Sequence, residues 1–522
     1  MKNKSRLVFI FFLVILIMTG GKLSAEAERF GGELIVGQGA SIDTLDPHQT
    51  TSGFSANALV NIYDGLVRFR PNSTRVEPAL ATSWQTEKDG QIWTFKLRED
   101  VFFHDGKKLD ADAVVFNFER QLDAEHPYHS PGSFPYAHQS LGMIEKIEKL
   151  DEYTIRFTLQ QPYAPFLKNL AMFSSRIVSP DSIKEEANNT KTFAGTGPFI
   201  IKEWDKGDKL VLTANEDYWN GRPYLDQLVF EVIKDREERM AALMENKIDL
   251  VKEVPPSEIE NVKQNSDLEI QESAGMNLNY IALHNQKPPF NNKKIRQAIN
   301  YAINKEEIAD ELFKGAAEPT RGPLPGEMWG YEQLVGYPHN PERAAQLLAE
   351  AGYEDGFEFT LRTYDVPRPY NPLADAVAEK VKEDLGEVGI EVNIERLSWT
   401  EHIRGGMAGE HQAALFGWIT DNGDPDNFLN ILLHSANQGS TNRSFYQNDE
   451  VDELLIEGQS NMEVTERQKL YHKAQRLIVE DAPIVFLTNK KSVVAYNQRV
   501  NNFITHPTEN TYFHNVWVIE EN

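Results

Sequence analysis

Along the chain, apolar and polar positions switch repeatedly between a two-residue and a 3.6-residue period. "GQIWTFKLRED" and "EYTIRFTLQ" alternate apolar with polar residues, as strands with one buried face do. "GELIVGQG" reads as a further strand, and "ADAVVFNFERQL" as a helix. "KKIRQAINYAI" puts Ile295, Ala298, Ile299, Ala302 and Ile303 on one helical stripe. Asn304, with Glu307 three residues on, starts a second helix. In "NPERAAQLLAEAGY", Asn340 caps, Pro341 takes the first helical position and Gly352 ends the helix.

The region from Gly356 to Leu433 carries the strongest positional information. A strand at Phe357–Tyr364 leads into the loop "DVPRPYNP" and the helix "LADAVAEKVKEDLG". A strand at Ile390–Leu397 is followed by "SWTEHIRGGM", a loop and short helix. A third strand, Ala413–Ile419, runs into "DNGDPDN" and the helix "FLNILL". Alternating strands and helices predict a parallel sheet with right-handed crossovers. In such sheets ligands bind beyond the carboxyl ends of the strands. Arg368, Trp399 and Asp421 each follow a strand, so all three are predicted along one edge.

The run "GWITDNGDPDN" holds three aspartates. Asp424 before Pro425 has the form of a helix cap, and Asp426 falls in the first turn, where negative charge suits the helix dipole. Asp421 has no such explanation. It is either a turn-stabilising residue or a carboxylate aimed at a ligand. A calcium loop does not fit, because Gly423 and Leu429 stand where a ligand and a glycine are required. Trp399, Trp418 and Tyr370 read equally as core residues or as pocket aromatics. His126 and His129 in "HPYH" read as an exposed loop rather than a metal site. No HExxH or GxSxG motif is present.

Composition narrows the function classes. At 522 residues, two or three domains are expected. A formal net charge of -26 argues against nucleic acid or an anionic membrane as the main partner. The chain has no cysteine, which removes disulfides, a thiol nucleophile and thiolate metal sites, and leaves no cysteine to carry a lipid. Lys2, Lys4 and Arg6 precede the apolar run Leu7–Met18, and Ala25-Glu26-Ala27 follows. That order predicts a signal peptide over residues 1–27, too short to span a membrane, which takes about 20 residues. The mature chain is expected free in an extracytoplasmic compartment, the periplasm where the cell has two membranes.

Several stretches resemble the extracytoplasmic solute-binding proteins of the peptide/nickel class (family 5), which feed ABC importers. They include "VEPALATSWQTEKDGQIWTFKLREDVFFHDGKKLDADAVVFNFERQ", "GTGPF", "NEDYWNGRPYLD", "IRQAINYAINKEEI" and "NPERAAQLLAEAG". Within the class, "RQLDAEHPYH", "EMWGY", "VPRPYNP", "GEHQ" and "GWITDNGDPDN" are most similar to periplasmic dipeptide-binding proteins. The resemblance implies that Asp421 pairs with a peptide's α-ammonium and Arg368 with its α-carboxylate. It makes Trp399 the aromatic residue of the side-chain pocket. Tyr370, Gly417 and Trp418 complete the candidate set in the same stretches. Ser52, Gly53 and Phe54 match, with a gap, a family segment that reaches the cleft. "AHQSLGM" departs from a more aromatic family segment, which leaves the outer pocket open.

The implied fold is α/β, the periplasmic-binding-protein type II fold, with two lobes around a hinged cleft and an extra inserted domain. The expected division is residues 28–60, 197–283 and 485–522 as a discontinuous domain of lobe I, 61–196 as its insertion, and 284–484 as lobe II. The implied function is a monomeric, non-enzymatic receptor without metal or cofactor. It would deliver dipeptides or short peptides to an ABC permease, with a chemoreceptor as a further partner. Another solute on the same fold (a nickel chelate, haem, an opine, a longer peptide) is the rival within the class. A secreted hydrolase is the rival outside it.

Overall fold

The computed structural model describes residues 29–186 and 193–519; the expected signal peptide lies outside them. Among the described residues, no helix is long and apolar enough to cross a membrane.

The alternating runs form the first sheet. Ile92–Leu97 buries Trp93, Phe95 and Leu97, and Thr154–Leu159 buries Ile155, Phe157 and Leu159. These two strands are the centre of a four-stranded antiparallel sheet with Ala81–Glu87 and Ile144–Asp151 at the edges. The helix Ala111–Leu122, capped by Asp110, lays Phe118 edge-on against Phe157 at 5.1 Å.

A seven-stranded sheet gathers segments from distant parts of the chain. Its order is Leu268–Ser273, Ser492–Asn497, Leu250–Lys252, Glu33–Gln38, Gln227–Val232, Lys209–Ala214, Phe199–Asp205. Glu33–Gln38, the strand expected from "GELIVGQG", runs parallel to both its neighbours, and the remaining pairs are antiparallel.

The third sheet has six strands, ordered Ala317–Pro319, Ile484–Lys490, Asn277–Leu283, Ala413–Ile419, Phe357–Tyr364, Ile390–Leu397. The three strands read from the sequence have the expected bounds, and Phe357–Tyr364 pairs in parallel with both others. The sheet as a whole is mixed, not parallel. Asn277–Leu283 and Ile484–Lys490 carry the chain into and out of it from the seven-stranded sheet, and both pair antiparallel here. Asn277–Leu283 is buried along its whole length, as a strand covered on both faces must be. One face packs on Lys293–Ala302, Pro341–Glu350 and Ala374–Gly386. The first two begin at Asn292 and Asn340, whose side chains accept the amides of Lys294 and Arg343.

Candidate functional site

The parallel strands bring their loops to one edge. Ser398 caps the helix Trp399–Met407, so Trp399 is its first residue, and the Trp399 amide donates to Asp365 at 3.0 Å. The loop after Phe357–Tyr364 is pinned by reciprocal backbone hydrogen bonds between Arg368 and Asn371. Arg368 is thereby laid over Trp399, its guanidinium carbon 4.2 Å from the ring centroid. Its Nε is buried with no hydrogen-bond partner.

Gly417 has a steric reason. The Tyr370 ring lies where its Cβ would stand, so only glycine lets the loop close onto the strand. Tyr370 is buried, and burial raises its hydroxyl while the Arg368 and Arg443 charges oppose the shift. Trp418, the next residue along the strand, points to the other face. It packs against the cluster containing Phe428 and Leu429, and its indole donates to Asn427 at 2.9 Å. Trp418 therefore does not join Tyr370 and Trp399.

Asp421 is half-buried and accepts a 2.8 Å hydrogen bond from the Tyr136 hydroxyl, 285 residues away in sequence. Burial pushes Asp421 up to about 6; the Tyr136 bond lowers it and the Glu509 charge raises it further. Neither Asp421 nor Arg368 makes an ion pair within 4 Å among the described residues. Tyr136 is the site residue that sequence reasoning missed. It lies just before "AHQSLGM", and no local signal points from there to the third sheet.

Ser52 caps the helix Gly53–Leu59 by accepting the Ser55 amide. Gly53 has open space around it, and Phe54 is half-buried. The next turn of this helix, through Ala56 and Val60, packs with Phe173, Tyr136 and Tyr512. The segment thus reaches Asp421 through Tyr136, and Ser52, Gly53 and Phe54 themselves make no recorded hydrogen bond or ring contact with it.

The rest of the aspartate run is clamped by the four-stranded-sheet side of the molecule. Asn422 donates to Asn169 at 2.7 Å, and Lys168 donates to the Gly423 carbonyl at 2.6 Å. Gly423 has φ +60°, with Thr74 occupying the space a Cβ would need. Asp424 does accept the Asp426 amide at 3.1 Å, but the helix Asp426–Leu433 begins after Pro425. The main partner of Asp424 is Arg467, with both guanidinium nitrogens on its two oxygens at 2.6 and 3.1 Å. Lys168 stands 3.9 Å from the same carboxylate, and burial pushes it down to about 8.

Asp426 lies in the first turn of that helix, as expected, and is buried there beside this pair. Burial, with the Asp424 charge adding, pushes Asp426 up to about 7, and Arg467 opposes. The folded state therefore retains a proton that an ordinary carboxylate, with a value of about 4, has released. That difference costs stability as pH rises from about 4 to about 7. Asp426→Asn is expected to melt higher than wild type at pH 8, with the gap closing towards pH 4. A lower melting temperature at pH 8 would contradict the assignment.

The profile of the bacterial extracellular solute-binding proteins, family 5, middle region, matches residues 75–440. The heme-binding protein A of Haemophilus influenzae is 37% identical over 492 residues, covering 91% of this chain and 90% of that protein. The dipeptide-binding protein of Escherichia coli is 34% identical over 496 residues, covering 91% of this chain and 92% of that protein. The solved structure of the periplasmic binding protein DppA from Helicobacter pylori, in complex with the peptide STSA, superposes with a TM-score of 0.82. It is 37% identical, with 95% of this chain and 100% of that chain covered. The type II periplasmic-binding-protein fold and the length of the match agree, and the chain belongs to the family 5 bacterial extracellular solute-binding proteins.

Proposed function

We propose that this chain is the receptor of an ABC importer and captures short peptides, dipeptides foremost, by their two charged ends. The observation that carries the reading is the pair Asp421 and Arg368. They are opposite charges on loops of one sheet edge, and neither has an ion-pair partner among the described residues. Asp421 takes the ligand's ammonium, with Tyr136 holding its carboxylate in place. Arg368, stacked on Trp399, takes the carboxylate, for which its fork supplies two parallel hydrogen bonds. An extended residue spans about 3.3–3.6 Å, so a fixed acid and a fixed guanidinium also measure peptide length.

The six-stranded sheet, which takes in Asn277–Leu283 and Ile484–Lys490 and so reaches beyond the 284–484 expected of lobe II, forms one lobe, and the seven-stranded sheet with the inserted four-stranded sheet forms the other. The bonds from Tyr136, Lys168 and Asn169 to residues 421–423 then cross the cleft and hold it shut. Export by a signal peptide over 1–27, a periplasmic location and a monomeric state complete the reading.

Haem is the competing ligand, because one relative is a heme-binding protein. A haem carries two carboxylates and no ammonium, which leaves Asp421 facing like charge. Mass spectrometry of material released from the purified protein by gentle denaturation decides between them. Short peptides are expected. A porphyrin, with its visible absorbance, would overturn the peptide reading.

The acid also sets a pH dependence. The ammonium pairs with ionised Asp421, and burial holds that carboxyl near 6. Affinity for a free dipeptide is expected to be highest near pH 7, to fall up to about tenfold per pH unit below 6, and to fall again above about pH 8, where the peptide's own α-amino group loses its proton. Titrations at pH 5 and pH 7.5 check this. Equal affinities would remove Asp421 from the ammonium's contacts.

A further inference from the structure

We infer that the protein has a second ligand site, in the seam between the seven-stranded and four-stranded sheets, and that it takes a small organic carboxylate. A cavity of about 270 Å³ lies there, walled chiefly by Asp64, Arg68, Arg176, Tyr218, Ile504 and Tyr512. None of its lining belongs to the six-stranded sheet or its loops; Val60 and Tyr512 stand between it and Tyr136, the residue that touches Asp421.

The charge pattern of the cavity points to an anion. Arg176 lines it and is 1% exposed. One terminal nitrogen donates to the Tyr512 hydroxyl at 3.1 Å, its Nε has no partner, and no carboxylate lies within ion-pair distance among the described residues. Arg68 also lines the cavity and spends its Nε on Glu77 at 2.9 Å. Asp64 is the acidic residue of the lining, but three donors already occupy it: Thr196 at 3.1 Å, Tyr218 at 3.2 Å and Trp219 at 2.9 Å. His514 adds no competing cation, because burial holds it below its ordinary range.

A buried guanidinium with no carboxylate in contact is costly, and a forked carboxylate satisfies two of its donors at once. The remaining walls include Val60, Phe69 and Ile504, which give a carbon skeleton something to pack on and offer nothing to an inorganic anion. The volume sits just below the usual range of about 300–1,000 Å³ for ligand pockets, so the ligand is small.

Succinate is a suitable probe, titrated calorimetrically into wild type, Arg368→Ala, Arg176→Met and Asn515→Trp, with phosphate as a parallel titrant. Asn515 is exposed on the rim, so its variant plugs the cavity without touching the buried arginine, which covers the case in which Arg176→Met fails to fold. Binding is expected to survive Arg368→Ala and to weaken at least about tenfold in the two cavity variants. Loss in Arg368→Ala with retention in Asn515→Trp would place the carboxylate at the cleft edge and overturn the inference. So would phosphate binding as tightly as succinate, or no heat from wild type at about 10 mM succinate.

Discussion

Replacing Asp421 with Ala is expected to weaken the binding of free dipeptides by about 30-fold to several thousand-fold. Truncating one partner of a buried, hydrogen-bonded charge pair typically costs about 2–5 kcal/mol, at 1.4 kcal/mol per decade of affinity. Asp421 falls within that range. It is desolvated enough for its carboxyl to sit near 6, and Tyr136 fixes one of its oxygens. The loss is specific to the ammonium. An N-acetylated dipeptide is expected to bind wild type poorly and to lose little more in the variant. Arg368→Ala mirrors this towards C-amidated dipeptides, and its effect includes the stacking on Trp399. Calorimetric titration of both variants is the check. Wild-type affinity in Asp421→Ala would remove the acid from the site.

The second large effect is on stability. Asp424→Ala is expected to destabilise the fold by about 3–5 kcal/mol, because it strands the buried Arg467 without its carboxylate. A helix cap alone would cost about 1 kcal/mol. Lys168 also loses its nearest acid, while its bond to the Gly423 carbonyl remains. Asp424→Leu combined with Arg467→Met is expected to recover most of the loss, since replacing a whole buried pair with apolar groups is often neutral. Chemical denaturation of the single and double variants measures both terms. A single-variant loss near 1 kcal/mol would reduce Asp424 to its contact with the Asp426 amide.

The contrast between Asp421 and Asp424 shows what the sequence could tell. Strand bounds at Phe357–Tyr364, Ile390–Leu397 and Ala413–Ile419 were legible because hydrophobic period and turn residues agree there. The edge that collects Arg368, Trp399 and Asp421 follows from strand order alone. Asp424 before Pro425 has the local form of a cap, and the partner that outweighs it, Arg467, lies 43 residues further along the chain. Tyr136 is hidden for the same reason at greater distance. Asn277–Leu283 and Ile484–Lys490, two of the strands that pair antiparallel in the six-stranded sheet, escaped because nothing in "NLNYIAL" or "IVFLTNK" states which sheet will pair with them. Trp418 shows the limit of reading aromatics near a strand end: one step along the strand turned it away from the ring that lies against Gly417.

The central claim is that the cleft recognises a peptide by both charged ends. It is tested most directly by titrating the wild-type protein at pH 7.5 with one dipeptide in three forms: free, N-acetylated and C-amidated. The account predicts tight binding of the free form and losses of at least about 30-fold for each blocked form. Equal affinity for all three would mean that Asp421 and Arg368 do not hold the ligand's termini.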